Sequence, residues 1–214
     1  FSTMDITSAY NQVPIREEDI PKTAFVTKYG LFEQVTMGFG LCNAPATFQR
    51  LMEVCLSDLV WQSCLVYLDD VIVFANSFEA HMGRLREVLA RIRSSGMKLK
   101  PKKCTFLCPT VKFLGHVVSS RGILPDPDNT GRLKSWPVPK KVRDVRSFLG
   151  LGNYYRRFVK DYSKLVKPLT ELTKKNVPFQ WTPRCQEAFE KLKEVLTRPE
   201  VMGFPKSTGQ WILD

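Results

Sequence analysis

Two neighbouring aspartates, Asp69 and Asp70, lie between two apolar runs, residues 64–67 and 71–74. Runs of this length and composition are typical of strands inside a sheet, so the aspartates are expected at the tip of a hairpin. Aspartate is also common in turns, which gives the pair an ordinary structural explanation. Adjacent carboxylates repel each other, however, and keeping both ionised beside buried flanks requires a compensating cation.

A third acid, Asp5, lies at the end of a strand-like run at residues 1–6 and precedes a short helical stretch at 7–13. It is therefore expected at the edge of a sheet, close to the aspartate pair. Three carboxylates together form a hard oxygen site suited to Mg²⁺, which keeps some of its waters and recruits phosphates. Two such ions about 3.5–4 Å apart can activate one oxygen and stabilise the leaving oxygen in phosphoryl transfer.

The elements that would position these acids follow from the apolar spacing along the chain. Asn43 and Ser77 are expected to cap two helices, and Gly96 to end the second. Past residue 125 the chain is predicted to be helical and basic, with breaks at 136–137, 167–168 and 177–178 and a last helix that begins at 182–183. The order of elements predicts an α+β domain with a helical appendage. Before residue 125 the predicted elements are a strand at 1–6, a helix at 7–13, a hairpin at 23–36, a helix from 43 to 59, a strand–turn–strand unit at 64–75, a helix at 77–96, a basic loop at 98–103 and a strand pair at 111–119.

Charge is unevenly distributed along the 214 residues, whose net charge is +11. Residues 81–175 hold 23 Lys and Arg against 6 Asp and Glu, and the remainder holds 9 against 15. An acidic part of the chain that binds cations and a basic part that binds phosphates would suit a nucleic-acid partner. Solvated helix faces explain the asymmetry equally well. With 43% hydrophobic residues, the composition excludes a disordered or collagen-like chain.

The six cysteines form no CxxC pair, so a structural zinc site is not expected. Cys104, Cys108 and His116 could supply three ligands, but a fourth is not evident, and buried free thiols in a reducing compartment are the preferred interpretation. No long apolar run predicts a membrane span. The chain is interpreted as a piece of a longer protein, because it begins without methionine and ends on a strand-like segment, residues 211–214.

Four ordered motifs, at residues 1–12, 39–49, 67–70 and 113–116, resemble the reverse transcriptase of gypsy-type LTR retrotransposons, and residues 146–158 resemble the region that follows. The resemblance implies a right-hand polymerase palm with partial fingers and a helical thumb, and RNA-directed DNA polymerase activity. The corresponding divisions are residues 1–120 for the palm with partial fingers, 121–200 for the thumb and the start of the connection, and 201–214 for a strand that leads into an RNase H domain.

The resemblance also implies a role for each matching position near the acids. Asp5 and Asp69 would be the main ligands of two Mg²⁺ ions, with Asp70 beside them. Tyr10 would crowd the 2′ position of the incoming sugar and so exclude ribonucleotides; from its sequence position alone it is equally a core aromatic. The positions expected to contact the deoxynucleoside triphosphate are Ile6, Tyr10, Phe39, Gly40 and Lys103, the last of which could instead attract phosphates generically as part of a basic run.

A second set of positions would contact the template and primer. Pro45 would head a helix beneath the template, residues 113–116 would hold the primer end, and the basic helices would follow the duplex backbone without reading its sequence. Tyr154, Tyr155 and Phe158 are expected to pack between helices rather than to stack on bases. The full set is Pro45, Tyr67, Phe113, Leu114, Gly115, His116, Arg143, Arg146, Arg156 and Arg157, with Lys160 and Lys164 as further phosphate contacts.

The implied partners are an RNA or DNA template with its primer, deoxynucleoside triphosphates, and adjoining RNase H, protease and integrase domains of one polyprotein. The implied location is the cytoplasm, in a virus-like particle. Gly38 stands where the family usually has proline, and Asn11 where it commonly has histidine. The departure at Gly38, with the interpretation of the chain as an excised piece, leaves a second hypothesis open: a non-catalytic relic that binds nucleic acid.

Overall fold

The chain divides into two units in the computed structural model, Phe1–Phe113 and Leu114–Asp214. The structure describes residues 1–198 and 202–204, so the strand predicted at 211–214 lies outside the described residues. The boundary between palm and thumb at residue 120 stays a prediction. Each unit has its own hydrophobic core, one built from residues between Met4 and Met97 and the other from residues between Leu133 and Leu196.

A three-stranded antiparallel sheet lies at the centre of the first unit and consists of β1 (Ser2–Asp5), β4 (Cys64–Tyr67) and β5 (Asp70–Val73). Its strand order is β1-β5-β4. A separate hairpin pairs β2 (Phe25–Thr27) with β3 (Gly30–Phe32). Met4 and Ile6 are buried while Asp5 lies on the other face, the alternation that a half-buried strand requires. The region predicted as a helix at 7–13 is a 3₁₀ turn at Ala9–Gln12.

Two helices pack on this sheet, α1 (Ala44–Cys55) and α2 (Phe78–Ser94). Phe48 and Met52 recur at helical spacing and are fully buried. Ser77 caps α2 by accepting a hydrogen bond from the Ala80 N–H at 3.2 Å, as predicted. The prediction for Asn43 is wrong in one respect, because Asn43 occupies the N-cap position of α1 but its side chain makes no capping hydrogen bond.

The first unit ends with β6 (Thr110–Phe113). In the second unit β7 (His116–Ser119) pairs antiparallel with β8 (Gly122–Pro125) and leads into helices that are joined by short connections. Phe148 and Phe189 lie at the centre of the helical core, with ring centroids 4.6 Å apart. No helix in the described part of the chain is long and apolar enough to cross a lipid bilayer. The four helices are α3 (Pro127–Lys134), α4 (Val142–Tyr154), α5 (Tyr162–Glu171) and α6 (Pro183–Thr197).

The break predicted at residues 167–168 is wrong, because α5 continues through Pro168. Proline removes one helical hydrogen bond and disfavours the helix interior. Val166 and Leu169 are buried on the same helix, so packing against the second core outweighs that local preference. The helix breaks predicted at residues 136–137 and 177–178 are confirmed.

Gly152 and Gly150, both on α4, provide a matched pair for testing how tightly the second core is packed. A Cβ on Gly152 would lie 2.9 Å from Tyr162 Oη and 3.0 Å from Leu192 Cδ2, whereas a Cβ on Gly150 would meet nothing within 4 Å. We expect Gly152→Ala to lower the free energy of unfolding by about 1–2 kcal/mol through overpacking. Gly150→Ala should raise it by about 0.5–1 kcal/mol through helix propensity. Urea unfolding of both variants measures the difference, and equal gains from the two substitutions would contradict this account.

Candidate functional site

The three predicted acids lie at one end of the central sheet of the first unit. Asp5 on β1 is directly opposite Asp70 on β5, so their side chains leave the same face of the sheet. Asp70 also pairs with Tyr67, which closes a two-residue turn that contains Asp69. The Ile6 N–H donates to the Asp69 carbonyl oxygen at 3.0 Å and so joins this turn to the end of β1. Antiparallel pairing thus brings together Asp5 and Asp70, which are 65 residues apart in the chain.

The charges of these acids interact. Partial burial, followed by the negative charges of Asp69 and Asp5, raises the pKa of Asp70, and the nearby Lys103 acts in the opposite direction. Repulsion of this kind destabilises the ionised form and is relieved by any cation that binds among the carboxylates. A cation bound at this end of the sheet would therefore stabilise the ionised carboxylates.

Lys103 supplies part of that charge. Its Nζ donates to Asp5 Oδ2 at 2.9 Å, and the Asp5 side chain is only 15% exposed. The hydrogen bond and the charge of Asp5 raise the pKa of Lys103, so it remains a cation at neutral pH. The basic segment reaches β1 because the Lys100 N–H donates to the Asp5 carbonyl oxygen at 2.9 Å and Thr105 pairs with Thr3. The sequence predicted a nucleotide contact for Lys103 but not this ion pair.

Carboxylate oxygens are the donors that Mg²⁺ prefers, so the chemistry of the acids fits the implied ions. Among residues 1–198 and 202–204, however, no three His, Cys, Asp or Glu side chains are grouped so as to hold a metal ion. The carboxylates are neighbours on one sheet end, with Asp5 held by Lys103, rather than a closed set of ligands. Among these described residues, Cys104, Cys108 and His116, which the sequence suggested as three possible metal ligands without a fourth, also form no such group.

The turn that carries Asp69 has a strained backbone. Leu68 has a φ of 52°, in the left-handed region where a side chain costs about 1–2 kcal/mol. Gln49 on α1 holds this turn from both sides, since its Oε1 accepts from the Leu68 N–H at 2.7 Å and its Nε2 donates to the Val66 carbonyl oxygen at 3.4 Å. Gln49 belongs to the motif at residues 39–49, but nothing in its spacing along the sequence predicts this contact.

Removing the Gln49 amide is expected to loosen the turn. Gln49→Leu leaves the Leu68 N–H without its acceptor, and we expect a loss of about 1–2 kcal/mol in the free energy of unfolding and roughly tenfold faster amide exchange at Leu68. Arg50→Leu is the matched control, because Arg50 is exposed on the same helix and should change stability by less than about 0.5 kcal/mol. Unchanged exchange at Leu68 would show that the strained turn does not need Gln49.

An aromatic cluster lies beside the end of β1. The Tyr10 ring contacts Phe39 and Phe48 edge-to-face, with ring centroids 5.5 and 5.9 Å apart. Phe48 is buried, whereas Phe39 is 83% exposed, so Tyr10 connects the core to an open surface. Gly40 has a φ of 94° and open space around it, so its backbone conformation, rather than crowding within the unit, requires glycine.

The remaining positions predicted to contact nucleotide or template divide into buried and exposed ones. The Ile6 side chain is buried in the core, so its N–H and not its side chain serves the acid turn. Pro45 is exposed in the first turn of α1, and Tyr67 is 56% exposed opposite Asp70. Gly38 packs against the Gln34 side chain, which fills the space that a Cβ at position 38 would need.

The positions predicted to hold the primer and duplex fall on both sides of the division between units. Phe113 ends the first unit, and Leu114, Gly115 and His116 begin the second. The basic side chains predicted to contact phosphates are all exposed on the second unit, although the Arg146 guanidinium also donates to the Thr173 carbonyl oxygen at 3.1 Å and Lys164 pairs with Asp161 at 2.9 Å. The exposed set is Arg143, Arg146, Arg156, Arg157, Lys160 and Lys164.

Comparison with known sequences identifies the same family that the sequence motifs resemble. A family model described as "Reverse transcriptase (RNA-dependent DNA polymerase)" matches residues 1–118. The Retrovirus-related Pol polyprotein from transposon 297 of Drosophila melanogaster is 40% identical to this chain, over the whole of the chain and 20% of the polyprotein. The polyprotein from transposon opus of the same species is 38% identical, over 96% of this chain and 22% of its own length. A fission-yeast relative, the Transposon Tf2-3 polyprotein of Schizosaccharomyces pombe, is 33% identical over 94% of this chain and 15% of its own length. The chain thus spans about a fifth of the length of these curated relatives.

Comparison with solved structures defines the fold. The foamy viral protease-reverse transcriptase dRH in complex with double-stranded DNA matches 94% of this chain and 36% of its own, with a TM-score of 0.87 and 24% identity. The foamy viral protease-reverse transcriptase in complex with an RNA/DNA hybrid matches 94% of this chain and 28% of its own, with a TM-score of 0.84 and 24% identity. At this identity the similarity establishes the fold alone. The predicted α+β fold, a palm with partial fingers and a helical thumb, is confirmed.

Proposed function

The chain belongs to the reverse transcriptase (RNA-dependent DNA polymerase) family, and we propose that it adds deoxynucleotides to the 3′-hydroxyl of a primer paired with an RNA or DNA template. The observation that carries this proposal is the placement of Asp5, Asp69 and Asp70 at one end of the sheet, within the residues that the family model matches. Its gypsy-type relatives are Pol polyproteins, so the domain is that of a retrotransposon reverse transcriptase.

Asp5, Asp69 and Asp70 would hold two Mg²⁺ ions. Their fit rests on the hard oxygen donors and on the burial and mutual repulsion that together raise the pKa of Asp70. When bound, such ions lower the pKa of the primer hydroxyl and stabilise the charge on the reacting phosphate and its leaving group. The protein's own contribution is to hold the three carboxylates adjacent, with Asp69 fixed by the Leu68 turn and Asp5 by its strand.

Lys103 would serve the leaving pyrophosphate. Its raised pKa keeps the ammonium charged, and its flexible side chain is 57% exposed, so it can exchange Asp5 for an anionic group nearby. A polyphosphate that enters beside Asp5 would compete for this ammonium. Lys103 thus pairs with Asp5 in one state and with a phosphate in the other.

Tyr10 and Phe39 would form the surface against which the incoming sugar and base are placed. Tyr10 is held by Phe48 behind it, so its ring is a fixed obstacle to a 2′-hydroxyl rather than a mobile one. Gly40, in its left-handed conformation, shapes the loop that follows Phe39. Ile6 would contribute through its backbone.

Two further sets of residues would contact the template and the primer. Pro45 and Tyr67 are proposed to lie near the template, and residues 113–116 near the primer end. Each exposed arginine that contacts a phosphate should make the slope of log K against log salt steeper by about 1. The proposed phosphate contacts are Arg143, Arg146, Arg156 and Arg157.

We further propose that the wider protein supplies RNase H, protease and integrase domains and acts in the cytoplasm within a particle. A second candidate function is binding of template–primer without catalysis. The ion pair between Lys103 and Asp5, which occupies one of the three acids, favours that alternative.

Primer extension distinguishes the two functions. The chain, expressed with the coding sequence that flanks it, is incubated with a labelled DNA primer on an RNA template, deoxynucleotides and Mg²⁺. Polymerase function predicts extension that a chelator abolishes, whereas the alternative predicts salt-sensitive binding with no extension under any condition. Binding that ignores salt would contradict both.

A further inference from the structure

The turn at Leu114 and Gly115 has an unusual backbone. Both residues have positive φ angles, 45° and 66°, which place them in the left-handed region. Glycine accepts this conformation, but leucine resists it because its Cβ approaches the following carbonyl. Such a conformation persists only when surrounding contacts enforce it, and these sites cluster where backbone holds a ligand.

Hydrogen bonds to both carbonyl oxygens of the turn enforce it. The Leu114 oxygen accepts from Tyr154 Oη at 2.7 Å and from His116 Nδ1 at 2.6 Å. The Gly115 oxygen accepts from Tyr155 Oη at 2.8 Å and from the Asp126 N–H at 3.0 Å. Each carbonyl has two lone pairs, so both oxygens have the full set of donors that they can accept.

The donors are themselves held in place. Tyr155 is fully buried, and its hydroxyl accepts from Asn129 Nδ2 at 3.2 Å while it donates to Gly115. The His116 ring packs against the rings of Tyr154 and Tyr155, with centroids 5.5 Å away in both cases, and against Phe158. Because the Leu114 oxygen can only accept, Nδ1 of His116 carries the proton.

Tyr154 differs from Tyr155 in its solvent exposure. Tyr154 is 51% exposed, yet its hydroxyl donates to the Leu114 carbonyl oxygen of the turn. A half-exposed tyrosine gains less from burial than the fully buried Tyr155 does, so the hydrogen bond to Leu114 is a larger share of its contribution. A Cβ on Gly115 would lie 3.3 Å from Tyr155 Oη and 3.4 Å from Tyr154 Cε1, so the two rings enclose the turn closely.

We propose that Tyr154 and Tyr155 are positioning residues that lock the Leu114–Gly115 turn so that its backbone presents a fixed surface to the primer end. From the sequence both tyrosines are expected only to pack between helices, and their hydroxyl contacts give them this additional role. The proposal rests on the proposed function, in which residues 113–116 hold the primer. It concerns placement of the primer end, not overall affinity for the duplex, which the exposed arginines would supply.

Phenylalanine substitutions test the lock because they remove only the hydroxyls. The matched control is Tyr162→Phe, since Tyr162 is a tyrosine of the same unit whose buried hydroxyl has no partner among the described residues. Two measurements are made on Tyr154→Phe, Tyr155→Phe and the double variant. One is hydrogen exchange at the Asp126 amide, which reports on its bond to Gly115, and the other is primer extension at saturating template–primer, with the dissociation constant measured separately.

We expect the double variant to exchange the Asp126 amide about tenfold faster and to extend primers about tenfold more slowly, with each single variant intermediate. The dissociation constant for template–primer should change by less than about twofold, because phosphate contacts set it. Tyr162→Phe should match the unmodified protein in every measurement. Wild-type exchange in the double variant would overturn the lock, and faster exchange with undiminished extension would overturn its link to the primer. If the unmodified protein extends no primer, the proposed function fails instead.

Discussion

Asp69→Asn is expected to lower the rate of primer extension by about a thousandfold or more, while the protein remains folded. Asparagine keeps the size and turn preference of aspartate but offers a neutral, weaker ligand for Mg²⁺. The backbone carbonyl that accepts from Ile6 is unaffected, so the turn should keep its form. Because the charge of Asp69 contributes to the raised pKa of Asp70, its removal should leave thermal stability equal or slightly higher.

The opposite responses of activity and stability make this variant informative. Single-turnover extension and thermal unfolding are measured on the same preparation. Asp58→Asn is the control, since Asp58 is an exposed aspartate of the same unit whose partner is Arg91 and not one of the three acids. It should retain full extension. Extension by Asp69→Asn at the unmodified rate would rule out a metal role for this carboxylate.

The sequence was sufficient to place the acids together. Apolar runs on either side of Asp69 and Asp70 predict a buried hairpin, and the alternation around Asp5 predicts a neighbouring strand. Hydrophobic periodicity specifies which face of each element is buried, so it also specifies where the polar residues between those elements emerge. The family resemblance, confirmed by the relatives, added the roles that remain proposals.

Side-chain contacts between distant segments could not be read from the sequence. Gln49 holds the Leu68 turn from another element, and Lys103 reaches Asp5 across 98 residues. The hydroxyls of Tyr154 and Tyr155 likewise bind a turn 40 residues earlier in the chain. Periodicity describes faces, not partners, and tyrosines at helical spacing are indistinguishable from core aromatics until the fold places a carbonyl beside them.

Predictions from the local conformational preference of a residue were wrong where packing opposed that preference. Pro168 predicted a helix end, and the buried residues on either side kept the helix intact. The left-handed Leu68 and Leu114 give no signal at all, because leucine is not a residue that marks such turns. Both leucines lie beside proposed functional positions, which is where local rules are most often violated.

Tyr10→Val is expected to reduce discrimination against ribonucleotides by about a hundredfold, measured as the ratio of kcat/KM for a deoxynucleotide to that for the matching ribonucleotide. The ring of Tyr10 is held edge-to-face against Phe39 and Phe48, which prevents it from swinging aside when a 2′-hydroxyl approaches. Valine ends nearer the backbone and leaves room for that hydroxyl. Incorporation of deoxynucleotides should fall much less, because the acids are unaffected.

Tyr10→Phe separates this steric account from a polar one, since it keeps the ring and its two aromatic contacts but loses the hydroxyl. Discrimination should remain as in the unmodified protein if the ring is the obstacle. A loss in Tyr10→Phe equal to that in Tyr10→Val would assign selectivity to the hydroxyl instead. Unchanged discrimination in both variants would return Tyr10 to the role of a core aromatic that follows a strand.

Because Phe48 holds the ring from the buried side, Phe48→Leu should give a smaller loss of discrimination in the same direction, as expected if the rigidity of the ring contributes to selectivity.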